Sequence, residues 1–397
     1  MKSLKQLYKI GAGPSSSHTM GPEKACKLFI EEYPNCTNFV VTLFGSLSKT
    51  GTGHGTDRII VSTLAKPTKV NFNNDKTDLP HENTMEIVGY IGDKIVDKWT
   101  VLSIGGGDIE IVGKPTFIEP DVYKLSTFSD IYKYCTEKEF RIPDFVLECE
   151  GDEIFNYLAE VWEQMKSTIK KGLKSTGTIP GGLQIERKAR LLHSQKHIDE
   201  SPETKENRLV CSYAYACSEE NACGGRIVTA PTCGSCGILP AVLKYMQVRH
   251  GFSDDQVVKA LATGGIIGNI VKENASISGA ECGCQAEVGT ACSMAAAALG
   301  ELFEMDLEQI EYAAEVAMEH HLGLTCDPIK GLVQIPCIER NAVAAMRAIN
   351  ALSLANFLTH TRKISFDMVV ETMYQTGKDM KNIYRETSEG GLAKLYK

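Results

Sequence analysis

The sequence predicts a two-domain α+β protein, with a small amino-terminal α/β domain over residues 1–120, a short join, and a larger all-α domain over 126–397. Three observations carry that prediction. At 397 residues the chain is too long for one ordinary core. Thr37–Phe44, Met85–Tyr90 and Lys94–Ile104 are rich in β-branched and aromatic residues, and the last two flank a Gly92-Asp93 turn. From about Ser126 onward apolar residues instead recur at helical spacing, as in Ile154, Leu158, Val161, Trp162, Met165 and Ile169.

Taken in order, the chain first shows a serine-rich loop, Gly13-Pro14-Ser15-Ser16-Ser17-His18-Thr19. Pro22 then suits the first turn of a helix that runs to about Tyr33. Thr37–Phe44 reads as a strand, and Gly51-Thr52-Gly53-His54-Gly55-Thr56-Asp57 as a second, glycine-rich loop. The Met85–Tyr90 and Lys94–Ile104 hairpin follows, and Asp108–Val112 closes the unit after Gly105-Gly106-Gly107. Hairpins with few helices point to an open sheet covered on one side. Beyond it, 193–208 is polar and reads as a surface loop. Leu209–Cys217, Ile238–His250, Asp254–Ile266, Ala291–Phe303, Leu307–His320 and Ala342–Leu358 are helix candidates. Several are rich in alanine and glycine, so they can pack closely. No internal repeat or low-complexity tract is present.

Composition excludes several classes. A net charge of −8 argues against nucleic acid or an anionic membrane as partner. No apolar run reaches the roughly 20 residues a membrane span needs. Met1-Lys2-Ser3-Leu4-Lys5-Gln6 leads into glycine- and serine-containing chain with no secretory apolar core, so a cytoplasmic location is expected. In such a compartment disulfides are disfavoured, and most of the fourteen cysteines should be packing residues. Cys26, Cys135, Cys211, Cys217 and Cys292 fall in helical patterns and are expected in the core. Cys233 and Cys236 form a Cys-x-x-Cys, a pattern used by redox pairs and zinc half-sites, but no second such pair completes a zinc site.

Two further stretches are chemically distinctive. Gly323-Leu324-Thr325-Cys326-Asp327-Pro328 and Ile335-Pro336-Cys337-Ile338-Glu339-Arg340-Asn341 each set a cysteine beside a proline, which predicts fixed, non-helical chain. A third thiol, Cys284, lies in the glycine-broken turn Gly279-Ala280-Glu281-Cys282-Gly283-Cys284-Gln285. Spacing alone leaves two readings open: metal ligands presented by rigid loops, or small buried hydrophobes. Of nine histidines, His18 and His54 sit in glycine- or serine-rich loops where backbone can approach a small ligand. His193, His197, His250 and His360 lie in helices or polar chain, and His320 and His321 immediately precede the Cys326 loop. Ser15, Ser16, Ser17 and Thr19 offer hydroxyls and N–H groups ahead of a helix, a setting that suits an anion or a plain helix cap. Gly105-Gly106-Gly107 is not followed by the lysine a phosphate loop requires.

Gly13–Pro22, Ile179-Pro180-Gly181-Gly182-Leu183, Glu219-Glu220-Asn221-Ala222, Ala230-Pro231-Thr232, Gly268-Asn269-Ile270, Gly279–Gly289, Gly323–Asn341 and Glu386–Ala393 together resemble the iron–sulfur-dependent L-serine dehydratases, over nearly the whole chain. The resemblance implies a four-iron four-sulfur cluster held by Cys284, Cys326 and Cys337, with one iron open to a substrate oxygen as a Lewis acid. It implies L-serine as substrate, His54 as base ahead of His18, and Ser15, Ser16, Ser17, Thr19 and Asn274 as substrate-binding groups. The small domain is expected to be similar to the allosteric substrate-binding domain of some phosphoglycerate dehydrogenases, and the molecule to be a homodimer. Some single-chain members carry a cysteine near the carboxyl terminus that reaches the fourth iron. No cysteine follows Cys337 here, so capping by a tail thiol is not expected. The chain also looks shorter than the usual fused form, mainly in its small domain and at 193–208. Three alternatives stand beside this reading: a cluster enzyme of the cysteine desulfidase kind, a dehydratase preferring threonine, and a non-catalytic amino-acid sensor. A pyridoxal enzyme is disfavoured because no lysine stands in a recognisable Schiff-base setting.

Overall fold

The computed structural model describes residues 1–76, 78–115, 120–196, 198–358, 362–387 and 389–396, which leaves His197 and His360 outside the described residues. The chain forms two compact units, one of Ala12–Glu119 and one that joins Met1–Gly11 to Pro120–Lys397.

The smaller unit is built on a five-stranded sheet. Its strands lie in the order Thr68–Asn73, Asn38–Phe44, Thr84–Ile91, Lys94–Gly105, Asp108–Ile111. The first pair is parallel and the others antiparallel, so the expected hairpin across Gly92-Asp93 is present. Phe39, Val41 and Leu43 alternate along their strand and point into one core with Ile87, Trp99 and Val101. Helices Gly21–Glu32 and Thr56–Leu64 close that core with Ala25, Cys26, Phe29, Ile60 and Leu64. Gly89 permits the close approach, because a Cβ there would stand 2.7 Å from the Phe29 ring and 2.8 Å from Cys36 Sγ.

The expected loop at 51–57 is largely helical. Gly45–His54 and Thr56–Leu64 are two helices broken only at Gly55, which takes the left-handed φ of 72°. Leu47 is fully buried from the first of them. That packing overrides the poor helix propensity of Gly51 and Gly53.

The larger unit is helical. At its centre Thr290–Leu302 is buried at every position, which an alanine-rich sequence allows because its small side chains let neighbours approach on all sides. Asp254–Asn274, Leu307–Glu319, Cys337–Leu358 and Ile238–His250 pack around it. Ile238–His250 has the expected bounds, whereas three helices start earlier or run further than expected. Pro202–Ala222 takes up part of the expected 193–208 loop, with the Ser201 hydroxyl accepting from Thr204 N–H at its start. Asp254–Asn274 runs on past its expected end at Ile266. Cys337 opens the helix Cys337–Leu358 rather than standing in irregular chain before it. Cys26, Cys135, Cys217 and Cys292 are buried in helices as expected, and Cys211 is only half-buried.

Met1–Gly11 belongs with the helices. Leu4, Leu7 and Tyr8 are buried, and Tyr8 Oη donates to the carbonyl of Leu261 at 2.9 Å. A two-stranded ladder joins Ile10–Ala12 to Arg226–Val228.

Helices Glu153–Lys174 and Pro202–Ala222 touch backbone to backbone at Gly172, where a Cβ would lie 2.2 Å from the Ala216 carbonyl oxygen. Gly172→Ala should therefore destabilise the helical unit by about 1–3 kcal/mol through overpacking, despite alanine's higher helix propensity. The measurement is the denaturation midpoint. An unchanged or raised midpoint would show that the two helices do not meet there.

Candidate functional site

Three loops of the helical unit bring the conspicuous thiols together. The short helix Gly279–Cys282 ends at Gly283, whose φ of 75° turns the chain so that Cys284 precedes Gln285–Gly289 and the central helix. Gln285, fully buried, staples this turn. Its amide donates to the carbonyls of Cys282 and Met373 at 2.9 and 3.2 Å, and its Oε1 accepts from Gly323 N–H at 2.9 Å.

Cys326 is held through its backbone. Its N–H donates to the Tyr384 carbonyl at 2.7 Å, and its carbonyl accepts from Glu386 N–H at 2.8 Å. Beside it, the buried Asp327 carboxylate accepts from Arg340 at 3.0 Å and from Leu392 N–H at 2.8 Å. Arg340 also donates to the Thr325 carbonyl at 2.6 Å. Cys337 stands at a helix start, where unpaired N–H groups favour negative charge. Asn341, one turn on, donates to the carbonyls of Cys337 and Gly234 and accepts from Gly237 N–H.

Among the described residues, the ligand atoms of Cys284, Glu287 and Cys326 lie within 4.8 Å of one another. Cys337 is within electrostatic reach of Cys284 and Glu287. A hydrogen bond with Cys284 and then burial push the Cys326 thiol well up. Burial and the same two neighbours push Cys337 up, against a downward pull from Arg340. Burial raises the Glu287 carboxyl, against the hydrogen bond from Thr232 and the charge of Arg340. Thiols raised in this way, as Cys326 and Cys337 are, are unsuited to act as nucleophiles. A soft metal group changes that balance, because its positive charge deprotonates coordinating thiols. The donor set, its burial and the neighbouring guanidinium all fit a metal–sulfur cluster.

In the sheet unit, His18 and His54 stack with ring centroids 4.5 Å apart. His18 Nδ1 faces the hydroxyls of Ser17 and Ser15 at 2.9 and 3.4 Å, and Nε2 faces those of Thr50 and Ser46 at 2.9 and 3.1 Å. His54 Nδ1 lies 3.1 Å from the Thr50 carbonyl, which can only accept. Nδ1 therefore carries the proton, and Nε2 keeps its lone pair. Burial lowers both histidines, His18 well below its ordinary value with a further push from His54.

The other predicted residues are placed as follows. Ser15 caps the turn Ser16–Met20 by accepting from His18 N–H, and Ser16 and Ser17 are half-buried in that turn. Thr19 donates to the carbonyls of Ala12 and Ser15. Asn274 is exposed at a helix end, and its amide donates to the carbonyls of Ser126 and Ile270. His320 and His321 each place Nδ1 against a carbonyl one turn back, those of Val316 and Ala317. Cys233 and Cys236 are buried, with thiols pushed up by desolvation, Cys236 to about 12. Glu287 was not singled out by sequence. A single acid entering an alanine-rich helix carries no signal beyond lying three residues after Cys284.

Residues 75–393 match the family model of the serine dehydratase alpha chain, and residues 3–66 that of the serine dehydratase beta chain. The chain is 42% identical to L-serine dehydratase 1 of Escherichia coli (strain K12), covering 99% of both chains. It is 40% identical to the L-serine dehydratase of Haemophilus influenzae over 99% of both, and 39% identical to that of Streptomyces coelicolor over 98% of both. The first of these alignments runs over 449 residues, so the relative carries segments that this chain lacks.

With both histidines lowered by burial, their imidazole proton resonances should titrate with midpoints below 6.5. A midpoint at or above 6.5 for His54 would mean that its ring is hydrated or paired with a negative charge.

Proposed function

Because the chain belongs to the serine dehydratase family, with regions matching the alpha and beta chains in one polypeptide, we propose that it is a lyase converting L-serine to pyruvate and ammonia. The observation that carries this reading is the gathering of Cys284, Cys326 and Glu287, with Cys337 beside them, in a chain similar along its whole length to L-serine dehydratases. The reaction removes the Cα proton and the β-hydroxyl of serine. The resulting 2-aminoacrylate tautomerises to the imine, which water hydrolyses to pyruvate and ammonia.

Cys284, Cys326 and Cys337 would hold a four-iron four-sulfur cluster, whose Lewis acidity assists departure of the hydroxyl group. His54 is assigned as the base, because its Nδ1 proton is committed to the Thr50 carbonyl and its Nε2 lone pair is available. His18 stacks on it and is held by hydroxyls at both nitrogens, which suits it to orient His54 or to act in its place. Ser15, Ser16, Ser17 and Thr19 are assigned to the substrate carboxylate, and Asn274 to ordering the chain around the ligand. A cytoplasmic homodimer completes the reading.

Changing any of the three cysteines to serine should lower bound iron and sulfide and abolish turnover, as read by metal analysis and the visible spectrum of anaerobically purified protein. An equal requirement for Cys233 or Cys236 would displace the assignment. His54→Ala should cut Cα-proton exchange from serine by about two to four orders of magnitude with the cluster spectrum unchanged. Near-normal exchange would transfer the role to His18. The lowered His54 value fixes a pH dependence as well. The neutral base exists above its pKa, so kcat/KM should fall only on acidification through a midpoint below 6.5. An acid limb above 6.5 would assign it to another group.

A further inference from the structure

Serine presents three polar groups to a binding site. Its carboxylate and hydroxyl suit a Lewis acid or N–H and O–H donors, but its ammonium needs an acceptor that carries negative charge. Glu287 is such a group. Oε1 accepts from the Thr232 hydroxyl at 2.7 Å, which fixes the plane of the carboxylate. Two glycines make the space around it. A Cβ on Gly279 would lie 2.6 Å from Glu287 Oε2 and 3.2 Å from Cys326 Sγ, and one on Gly234 3.4 Å from Oε1. The carboxylate is thus built into the wall beside two of the thiols, within the 4.8 Å that groups it with Cys284 and Cys326.

The charges around it favour a cationic ligand. Arg340 is the cation that acts on Glu287, and its guanidinium is already engaged by Asp327 and by the Thr325 carbonyl. With Arg340 committed to those partners, the Glu287 carboxylate can attract a cationic ligand group, whereas an anion would be repelled.

Resting on the reading of this site as that of a serine dehydratase, we infer that Glu287, oriented by Thr232, receives the α-ammonium of the substrate. Glu287 thereby selects amino acids over hydroxy acids of the same size. The discriminating ligand is 3-hydroxypropanoate, which keeps the carboxylate and β-hydroxyl of serine and lacks the ammonium.

The experiment uses anaerobically purified, cluster-loaded protein. Binding of L-serine and of 3-hydroxypropanoate is followed by the change each makes in the visible spectrum, with iron and sulfide measured in parallel. In Glu287→Gln, serine affinity should fall by about 10- to 100-fold while 3-hydroxypropanoate affinity and iron content stay unchanged. Thr232→Val should weaken serine selectively, by a smaller factor, and it decides the matter if Glu287→Gln does not fold. Equal weakening of both ligands would overturn the inference, as would loss of iron from folded Glu287→Gln, which would make Glu287 a cluster ligand. A wild-type protein that holds its cluster and neither binds nor turns over serine would instead sink the proposed function itself.

Discussion

Gathering the buried Cys284 and Cys326 beside Glu287, with the half-buried Cys337 near them, is the constraint on which the rest of the helical unit depends. Left to themselves Cys326 and Cys337 stay protonated, the first through its hydrogen bond with Cys284 and its burial, the second through burial and the nearby Cys284. They are held in place by groups far apart in sequence that bind the backbone and side chains of all three segments, and Arg340 also reaches the Cys284 sulfur. Gln285 ties the first loop to the second at Gly323, and Arg340 ties the second to the third through Asp327 and Thr325. Asn341 binds the third loop to Gly234 and Gly237. Each contact satisfies polar groups that would be costly to bury alone, so alignment of the three cysteine segments and stability of the unit share the same hydrogen bonds.

The two histidines in the sheet unit show a different economy of protons. A carbonyl at one nitrogen of His54 leaves the other with its lone pair, and desolvation keeps the ring neutral. Four hydroxyls, which can each donate or accept, surround His18 and tolerate either tautomer. His54 is thus held in one tautomer, whereas His18 is free to take either.

Much of this was legible in sequence, and the misses have physical causes. Ile238–His250 and the hairpin across Gly92-Asp93 could be read because periodicity and turn residues agree there. Gly45–His54 could not, because three glycines in five residues mark a loop, whereas burial of Leu47 and the left-handed Gly55 make a helix and its cap. Ser201-Pro202 and Pro336-Cys337 are helix-start signals, but polar composition hid the first and the reading of a rigid ligand loop hid the second. For the site, the cysteines and loop histidines stood out by residue type and setting. Glu287 did not, because only the fold brings Thr232, Gly279 and Cys326 around it.

The threading of the chain through its two units bears on the order of folding. Every strand of the five-stranded sheet finds its partners within residues 38–111, so those pairings can close soon after that stretch is synthesised. Tyr8, by contrast, bonds a carbonyl 253 positions away, and Thr229 pairs with Leu7 and Lys9 across a comparable span. Closing such loops costs more entropy than closing the local hairpins. Leu4, Leu7 and Tyr8 must therefore remain solvated while the sheet forms, and settle only once the helix Asp254–Asn274 has emerged. Until then they form a short apolar segment exposed to whatever else in the cell binds unfolded chain.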